Sequence, residues 1–541
     1  MRREHGSWIL GAALSLLLTA SPALAQGQII IINNNAPGVG FNDPTPAAPV
    51  GGNPGTTLGQ QRLNVFEFAA GIWEATLKPK NDIFVQAQFV PLGQNVLGSA
   101  GTTFVFRDFP GAELPGTWYP SALADQLAGQ ELNPGFPDIN ASFSTNFVFY
   151  LGFDNNEGTL VDLLPVVIHE LAHGLGFANF VTETTGAQFL GFPDVYSEYT
   201  LDVTTFKIWN QMTNAERAAS ALNIRKVSWS GLNVAKDTPK VLQPGEPALR
   251  ITAPAALGPF MVGTASFGPP LTAAGISGQI VLGDDGVPPG SDGCTAFSPG
   301  ALQGKIALLD RGTCTFVVKV KNAQDAGAIA VIIADNVAGS PPAGLGGADP
   351  TITIPSVRVT LTDGNTIKGV LPATGALVLD LSVLAGTDRV LGLAMLAALD
   401  PVALGSSISH WEAVAFPNQL MEPAINADLT NSVTPPQDLT SSLMTDIGWF
   451  SDADGVPDGR DACLGSPRSA TVEIGSCVST APNTVFVNGC RVADLANDCA
   501  DQAKNHGSYI SCIEHLEQAL LSAGVLTKDQ AKSLDRCAKH H

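Results

Sequence analysis

The chain of 541 residues is long enough for about two to four domains, and a hydrophobic fraction of 45% is ample for large buried cores. A formal net charge of −21, with only 14% charged residues, argues against nucleic acid and anionic membrane surfaces as partners. This balance favours an acidic protein that is exported into solution.

The N-terminus has the features of a secretory signal peptide. Two arginines precede an apolar run at 8–18 that is too short to span a bilayer, and Ala23 and Ala25 mark a cleavage site. We expect residues 1–25 to be removed, and the protein to be extracellular or periplasmic with no membrane span. An uncleaved anchor helix is the alternative. Eight cysteines without a CxxC pair fit an oxidising compartment.

The predicted elements begin after a flexible leader at 26–60, which is rich in Gly, Pro and Asn. Residues 62–77 place apolar side chains at helical spacing, and 83–92 alternate like a strand. FVFYLGF at 147–153 predicts another strand. A helix follows through PVVIHELAHGLG at 165–176, with a proline in its first turn and a glycine at its end.

Further along the chain, Thr213 and Glu216 have the spacing of a capping box, which predicts a helix at 212–222. From about 240 to 385 the pattern changes to short β-rich segments around at least one helix, as in an α/β or α+β module. Residues 440–448, TSSLMTDIG, predict one more capped helix.

HELAH at 169–173 is the motif that carries chemistry. Residues four apart lie on one face of a helix, so His169 and His173 can present two imidazoles to one zinc ion. Glu170 lies beside the open coordination position and can act as general base towards zinc-bound water. The alternative is a helix with two unrelated histidines, which the apolar flanks make costly.

Catalytic zinc usually has three protein ligands, and the third is not local. The extended metzincin pattern would place a histidine at position 179, which is Asn179. Of the eight histidines, His410 alone lies outside the signal peptide, the HELAH helix and the C-terminal tail. His410 is therefore the histidine candidate, and an acid such as Glu198 is the alternative.

HELAHGLGF, followed far downstream by SHWE and LMEP, resembles the leishmanolysin-like metzincins. In that family an insertion separates the helix motif from the third histidine, and a methionine-containing turn runs beneath the metal. The resemblance covers roughly 61–240 and 386–450. The site that it implies consists of the zinc ligands His169, His173 and His410, the general base Glu170 and the Met-turn residue Met421.

The insertion itself resembles a protease-associated (PA) domain, through DRGTCTF, NAQDAGAIAVII and IPSV. The match extends over about 250–385, so we expect a PA domain at 241–385. Cys294 and Cys314 would close a loop within it and stabilise it by about 3 kcal/mol. PA domains are non-catalytic, and the resemblance implies a role in binding or gating substrate.

The tail begins with SDADGVPDGRDAC, which resembles a thrombospondin type 3 calcium loop. Its first acidic position is occupied by Phe450, and an acidic solvated linker is the alternative. Six cysteines in the tail predict disulfides without fixing their pairing. The carboxylates with calcium-like spacing are Asp452, Asp454, Asp458 and Asp461.

Together these patterns predict an α+β fold in which a metzincin-like zinc peptidase domain is interrupted by an α/β PA domain. A cysteine-rich region at 451–541 completes the chain. The predicted function is that of a secreted zinc-dependent endopeptidase acting on proteins or peptides, with calcium as a second candidate ion. The alternatives are an inactive secreted protein that binds partners through its PA and tail modules, and a zinc hydrolase of non-protein substrates.

Overall fold

The computed structural model describes residues 26–339, 342–426, 428–451, 456–467 and 469–540. The predicted signal peptide lies outside these residues. Before the insertion the helices are α1 (Leu58–Leu77), α2 (Ser121–Ala128), α3 (Leu163–Leu175), α4 (Asn214–Ser220) and α5 (Leu232–Val241). The strands there are β1 (Ile29–Asn33), β2 (Ile83–Val90), β3 (Gly98–Thr102), β4 (Val105–Phe106), β5 (Tyr119–Pro120), β6 (Ile139–Ser144), β7 (Phe149–Tyr150), β8 (Val161–Asp162), β9 (Val181–Thr182), β10 (Ala187–Gln188), β11 (Thr200–Asp202), β12 (Lys207–Ile208) and β13 (Val227–Trp229).

A mixed sheet and two helices form the centre of this first part. The strand order is β1-β2-β6-β3; the first three strands run parallel, and β3 pairs antiparallel to β6 at the edge. Helices α1 and α3 pack together, and the indole Nε1 of Trp73 donates a hydrogen bond to the carbonyl oxygen of Ile168 at 3.0 Å. This arrangement places α3 directly beside the antiparallel edge strand.

The prediction of a flexible leader at 26–60 is wrong for its described residues. The isoleucine run forms β1, because a parallel partner for these β-branched side chains exists in β2. Phe41 packs on Phe66 with ring centroids 4.8 Å apart. Asn53 is fully buried and donates to the carbonyl oxygens of Gln61 and Leu151, at 2.9 and 2.7 Å. The polar residues of this segment therefore form turns within the fold.

Other local predictions fare differently. The capping box at Thr213 and Glu216 is confirmed at the start of α4. The strand expected at 147–153 shrinks to Phe149–Tyr150, which pairs with Val161–Asp162. An apolar run in the sequence does not show which of its residues will pair with a neighbouring strand.

After an insertion the chain returns to the same core. The insertion contains β14 (Pro244–Ala253), β15 (Leu257–Met261), β16 (Gly263–Thr264), β17 (Ile276–Leu282), β18 (Ile306–Asp310), α6 (Phe316–Asp325), β19 (Ala330–Ala334), β20 (Ser356–Val359), α7 (Leu361–Lys368) and β21 (Ala373–Leu384). Trp411, Met421 and Trp449 then join the apolar core that already holds Trp73 and Trp229. The return segment ends in α8 (Thr440–Asp446).

The inserted sheet has the order β15-β14-β21-β17-β18-β19-β20-β16, with a parallel centre from β17 to β20. Along β18, Ile306 and Leu308 belong to one apolar cluster, whereas Ala307 and Leu309 belong to another. Both faces of this sheet are therefore covered, as parallel strands require. Pro244 at the start of β14 pairs with Leu384 at the end of β21. The two ends of the insertion are therefore adjacent where it joins the rest of the chain.

The tail has a core of its own. Its elements are β22 (Thr471–Ile474), β23 (Cys477–Pro482), α9 (Val492–Gln502), α10 (His506–Ser522) and α11 (Lys528–Lys539). The disulfides of the chain are Cys294–Cys314 in the insertion and Cys463–Cys490, Cys477–Cys537 and Cys499–Cys512 in the tail. None of the helices in the described ranges combines the length and apolar character needed to cross a bilayer.

Candidate metal centre and active site

Helix α3 is fixed at both ends, and this fixes the two histidines that it carries. At its start the Asp162 carboxylate accepts a hydrogen bond from the Leu164 N–H at 3.0 Å. At its end Gly176 adopts a φ of 130°, which favours glycine, and its N–H donates to the carbonyl oxygen of Ala172 at 3.1 Å. The helix therefore ends at Leu175, two residues after His173.

The return segment brings a third histidine to this helix. The Nε2 atom of His169 lies 3.2 Å from Nε2 of His173 and 3.2 Å from Nε2 of His410. All three side chains are buried, and 241 positions separate His169 from His410. The structure thus brings together the three histidines that the sequence singled out.

Each imidazole is oriented by a backbone carbonyl, which can only accept a hydrogen bond. The Nδ1 atom must therefore carry the proton, and Nε2 is left with a lone pair. The acceptors of His169, His173 and His410 are the carbonyl oxygens of Leu420 (2.8 Å), Phe177 (2.8 Å) and Ser406 (2.9 Å). The three lone pairs consequently face one another.

Burial keeps these rings neutral. It lowers the pKa of His169 to about 3, with the neighbouring His173 as a further cause, and it lowers the pKa of His173 to about 4. Burial and both neighbouring rings depress the pKa of His410 well below its usual value. Three neutral imidazoles with converging lone pairs repel one another unless a cation lies between them.

The donor set fits zinc. Nitrogen ligands at about 2.0–2.1 Å in a tetrahedron lie about 3.3 Å apart, close to the 3.2 Å separations observed for the Nε2 atoms. The histidines are the one all-histidine metal-ligand group found among the described residues. His169, His173 and His410 are the residues that would hold the ion.

Glu170 adjoins the first of these histidines and lies against the edge strand. Its side chain is 8% exposed, and burial raises its pKa to about 8, although its carboxylate accepts a hydrogen bond from the backbone of Ala100 in β3. Gly98 makes this approach possible, because a Cβ there would lie 2.8 Å from Cγ of Glu170. The sequence motif gave no sign of this strand contact.

Met421 lies in the return segment, directly after the residue that orients His169. It is fully buried, and its carbonyl oxygen accepts a hydrogen bond from the Trp411 N–H at 2.8 Å. The residue before it, Leu420, is the one whose carbonyl oxygen orients His169. Met421 thus belongs to a turn that supports the ring of a candidate ligand.

Asn179 and Glu198, the other residues considered for the third position, have different partners. Asn179 donates through Nδ2 to Oγ of Ser409 at 3.0 Å, so it holds the residue next to His410. The carboxylate of Glu198 accepts from Nδ2 of Asn210 at 2.8 Å and pairs with Arg460. Neither belongs to the group of side chains that could share an ion with the histidines.

A cleft of about 880 Å³ opens over the histidines. Residues 95–100 of the edge-strand region line one side, and segments around 155–162 and 404–410 line others. Glu183 and Glu422 add acidic side chains to its wall. The arrangement leaves room for an extended ligand beside Glu170.

An ion-pair network joins the insertion to the segment of His410. Glu246 of β14 pairs with Arg225 at 3.4 Å and with Arg389 at 2.6 Å. Arg389 also pairs with Asp380 of β21 at 3.0 Å, and Arg225 lies 4.0 Å from Glu412. Because Glu412 follows His410 by two positions, the base of the insertion is tied to the candidate metal centre.

The acidic loop of the tail is only partly described. Asp452 and Asp454 lie outside the described residues. Asp458 and Asp461 are buried, and Asp461 accepts a hydrogen bond from the Cys463 N–H at 2.7 Å. Calcium binding by this loop therefore stays a prediction.

Residues 276–367 match the family model described as PA domain, so the chain contains a PA domain. This agrees with the doubly covered sheet of the insertion and with the DRGTCTF, NAQDAGAIAVII and IPSV segments.

Several curated proteins share a limited stretch with the chain. Vacuolar-sorting receptor 1 of Pisum sativum is 44% identical over 78 residues, which is 13% of this chain and 12% of the receptor. The probable lipoprotein aminopeptidase LpqL of Mycobacterium tuberculosis is 36% identical over 99 residues, 18% of this chain and 19% of that protein. Leucine aminopeptidase 2 of Arthroderma otae is 34% identical over 120 residues, 22% of each chain. The chain thus spans less than a quarter of the length of these relatives.

Similar solved structures include BSAP, a zinc aminopeptidase from Bacillus subtilis, at 25% identity over 28% of this chain and 36% of that chain, with a TM-score of 0.21. An aminopeptidase from Aneurinibacillus sp. strain AM-1 is 28% identical over 26% of this chain and 31% of that chain, with a TM-score of 0.19. These likenesses are too partial to describe the whole chain.

Proposed function

We propose that the chain is a zinc-dependent endopeptidase of the leishmanolysin-like metzincin type, interrupted by a PA domain between its second and third metal ligands. The observation that carries the proposal is the convergence of three buried Nε2 atoms beside the carboxylate of Glu170 in an open cleft. The presence of aminopeptidases among the relatives supports peptide substrates in general.

Zinc, when bound, supplies a Lewis acid and brings the pKa of a coordinated water towards 7. The chain's own part is to hold three neutral imidazoles in place and to move a proton. Glu170 takes the proton of the attacking water at its carboxylate and delivers it to the leaving amine.

The edge strand β3 supports cleavage within a chain. Among the described residues β3 pairs with β6 alone, so its other edge faces the cleft. An extended peptide can add to such an edge through main-chain hydrogen bonds. Bound in this way, the peptide presents an interior carbonyl to Glu170, and its termini need no recognition.

The remaining parts of the proposal concern location and accessory regions. Residues 1–25 act as a signal peptide, and four disulfides fit an oxidising compartment outside the cytoplasm. The PA domain helps to bind or gate substrate. Met421 serves as the Met-turn residue, and the loop at 451–463 is a candidate calcium loop.

The decisive assay uses the purified, zinc-loaded chain and an internally quenched peptide with an acetylated N-terminus and an amidated C-terminus. A second peptide has the same sequence with free termini. We expect the chain to cleave the blocked peptide, whereas an aminopeptidase would hydrolyse only the peptide with free termini. Glu170→Gln should retain zinc and lose about 100-fold or more in kcat, because the proton shuttle is removed. Glu157→Gln, in the same cleft, is the matched control. A zinc-loaded parent that cleaves neither peptide would favour the inactive binding protein.

A further inference from the structure

A fully buried lysine lies inside the PA domain and has no part in the proposed peptidase chemistry. Lys319, on α6, is 0% exposed, which is rare for a lysine. Its ammonium donates to the carbonyl oxygen of Asp292 at 2.5 Å and to Sγ of Cys294 at 3.3 Å. Neither acceptor carries a charge while the Cys294–Cys314 disulfide is closed. The buried cation therefore lies against a sulfur atom that would bind it more strongly as a thiolate.

The position of this lysine makes the two halves of the disulfide unequal. Sγ of Cys294 accepts from Lys319, whereas Sγ of Cys314 accepts no hydrogen bond from any described residue. Burial lowers the pKa of Lys319, and three nearby carboxylates act in the opposite direction and favour its ammonium form. These are Asp292, Asp310 and Asp285. Because a neighbouring cation stabilises a thiolate, Cys294 is the better leaving group of the two.

The disulfide can be approached from solvent. Both of its cysteines are half-buried, and the residues on either side of Cys314, Thr313 and Thr315, are exposed. The bridge ties the segment before β18 to the residues that directly follow this strand, at the carboxyl end of the parallel part of the sheet. Ligands of α/β sheets bind at such carboxyl ends, so a change in this bridge alters a part of the PA domain that is suited to binding.

We propose that the Cys294–Cys314 disulfide is a thiol–disulfide exchange site for small monothiols. The incoming thiolate forms an S–S bond to Sγ of Cys314, and the bond between Cys314 and Cys294 breaks. Its electron pair stays on Cys294 as a thiolate, which pairs with the ammonium of Lys319. One disulfide and one thiolate thus become one mixed disulfide and one thiolate, and no oxidant or further reductant is consumed.

The test uses the full zinc-loaded chain carrying Glu170→Gln, which limits self-cleavage, and reduced glutathione at about pH 7. After a short exposure N-ethylmaleimide traps the free thiols, and peptide mass spectrometry locates both labels. We expect glutathione on Cys314 and N-ethylmaleimide on Cys294, with about a tenfold preference over the reverse pattern. Equal labelling, the reverse pattern or a disulfide that does not react would overturn the proposal. The readout does not depend on peptidase activity.

Lys319→Met shows whether the ammonium is the cause of the preference. This substitution removes the charge and keeps an unbranched side chain, so the preference for glutathione on Cys314 should disappear. Lys321→Met is the matched control, because Lys321 lies on the same helix and pairs with Asp325. The control should keep the preference of the parent. An unchanged preference in Lys319→Met would overturn the proposal.

A measurement on the parent covers the case in which Lys319→Met does not fold. The parent is reduced, the reductant is removed under nitrogen, and the rate of alkylation of each cysteine by iodoacetamide is measured from about pH 5 to about pH 10. We expect the thiol of Cys294 to react with a lower apparent pKa than that of Cys314, because only the thiolate is nucleophilic. Equal apparent pKa values, or the opposite order, would contradict the role assigned to Lys319.

Discussion

Gly98→Ala tests the contact between the edge strand and the proposed general base. The added Cβ would lie 2.8 Å from Cγ, 2.9 Å from Oε1 and 3.0 Å from Cδ of Glu170. Carbon atoms normally approach to about 3.5–4.0 Å, so relief needs a shift of about 0.5–1 Å. The side chain of Glu170 can move more easily than a paired strand. We therefore expect kcat to fall about 100-fold, with a loss of about 1 kcal/mol in the free energy of unfolding.

The assay measures kcat and KM on the blocked quenched peptide, zinc content by metal analysis, and stability by denaturant unfolding. Gly101→Ala is the matched control, because it lies in the same strand and a Cβ there meets no atom within 4 Å. We expect Gly101→Ala to keep the parent kcat and Gly98→Ala to keep its zinc. Equal kcat in the two variants would refute the proposed role of β3 in positioning Glu170.

Three further predictions concern the metal, pH and a disulfide. His410→Ala should lower zinc content sharply after dialysis, whereas Glu198→Ala should not; the opposite result would identify Glu198 as the ligand. The free energy of unfolding should decrease as the pH rises from about 4 to about 8. The reason is that folded Asp125, with its pKa raised to about 8, keeps a proton that the unfolded chain loses near pH 4. Urea unfolding at several pH values should show a smaller decrease in the free energy of unfolding for Asp125→Asn than for the parent. An equal decrease in the two proteins would argue against a raised pKa of Asp125. Replacing Cys294 and Cys314 by serine should destabilise the PA domain by about 3 kcal/mol, measured by denaturant unfolding, without changing zinc content.

The HELAH helix is the part of the site that the sequence predicts well, because its geometry depends on one local period. Two histidines four apart must share a helical face, whatever the rest of the chain does. His410 could be proposed as the third zinc ligand for a different reason. The chain has only eight histidines, and the position of most of them argues against a role in the same site. The PA domain was recognisable through contiguous motifs, and the family match covers residues 276–367.

Features that depend on distant segments could not be predicted in this way. The isoleucine run of β1 was assigned to a flexible leader, since its partner β2 begins some fifty positions later along the chain. The approach of Gly98 to Glu170 follows from the packing of α3 on an edge strand and leaves no local pattern. Asp125 and Asp138 are likewise ordinary acids in the sequence, and only the meeting of α2 with β6 brings them together.

The position of the PA domain between His173 and His410 has a consequence for the order of events during synthesis. Chains emerge from the ribosome N-terminus first, and domains fold as units. The PA domain, closed between Pro244 and Leu384, can therefore form while the proposed metal centre still has two of its three imidazoles. A chain interrupted between Leu384 and His410 would carry a finished accessory domain and only two of the three proposed zinc ligands. The position of the insertion would thereby delay completion of the proposed metal centre until most of the polypeptide has been made.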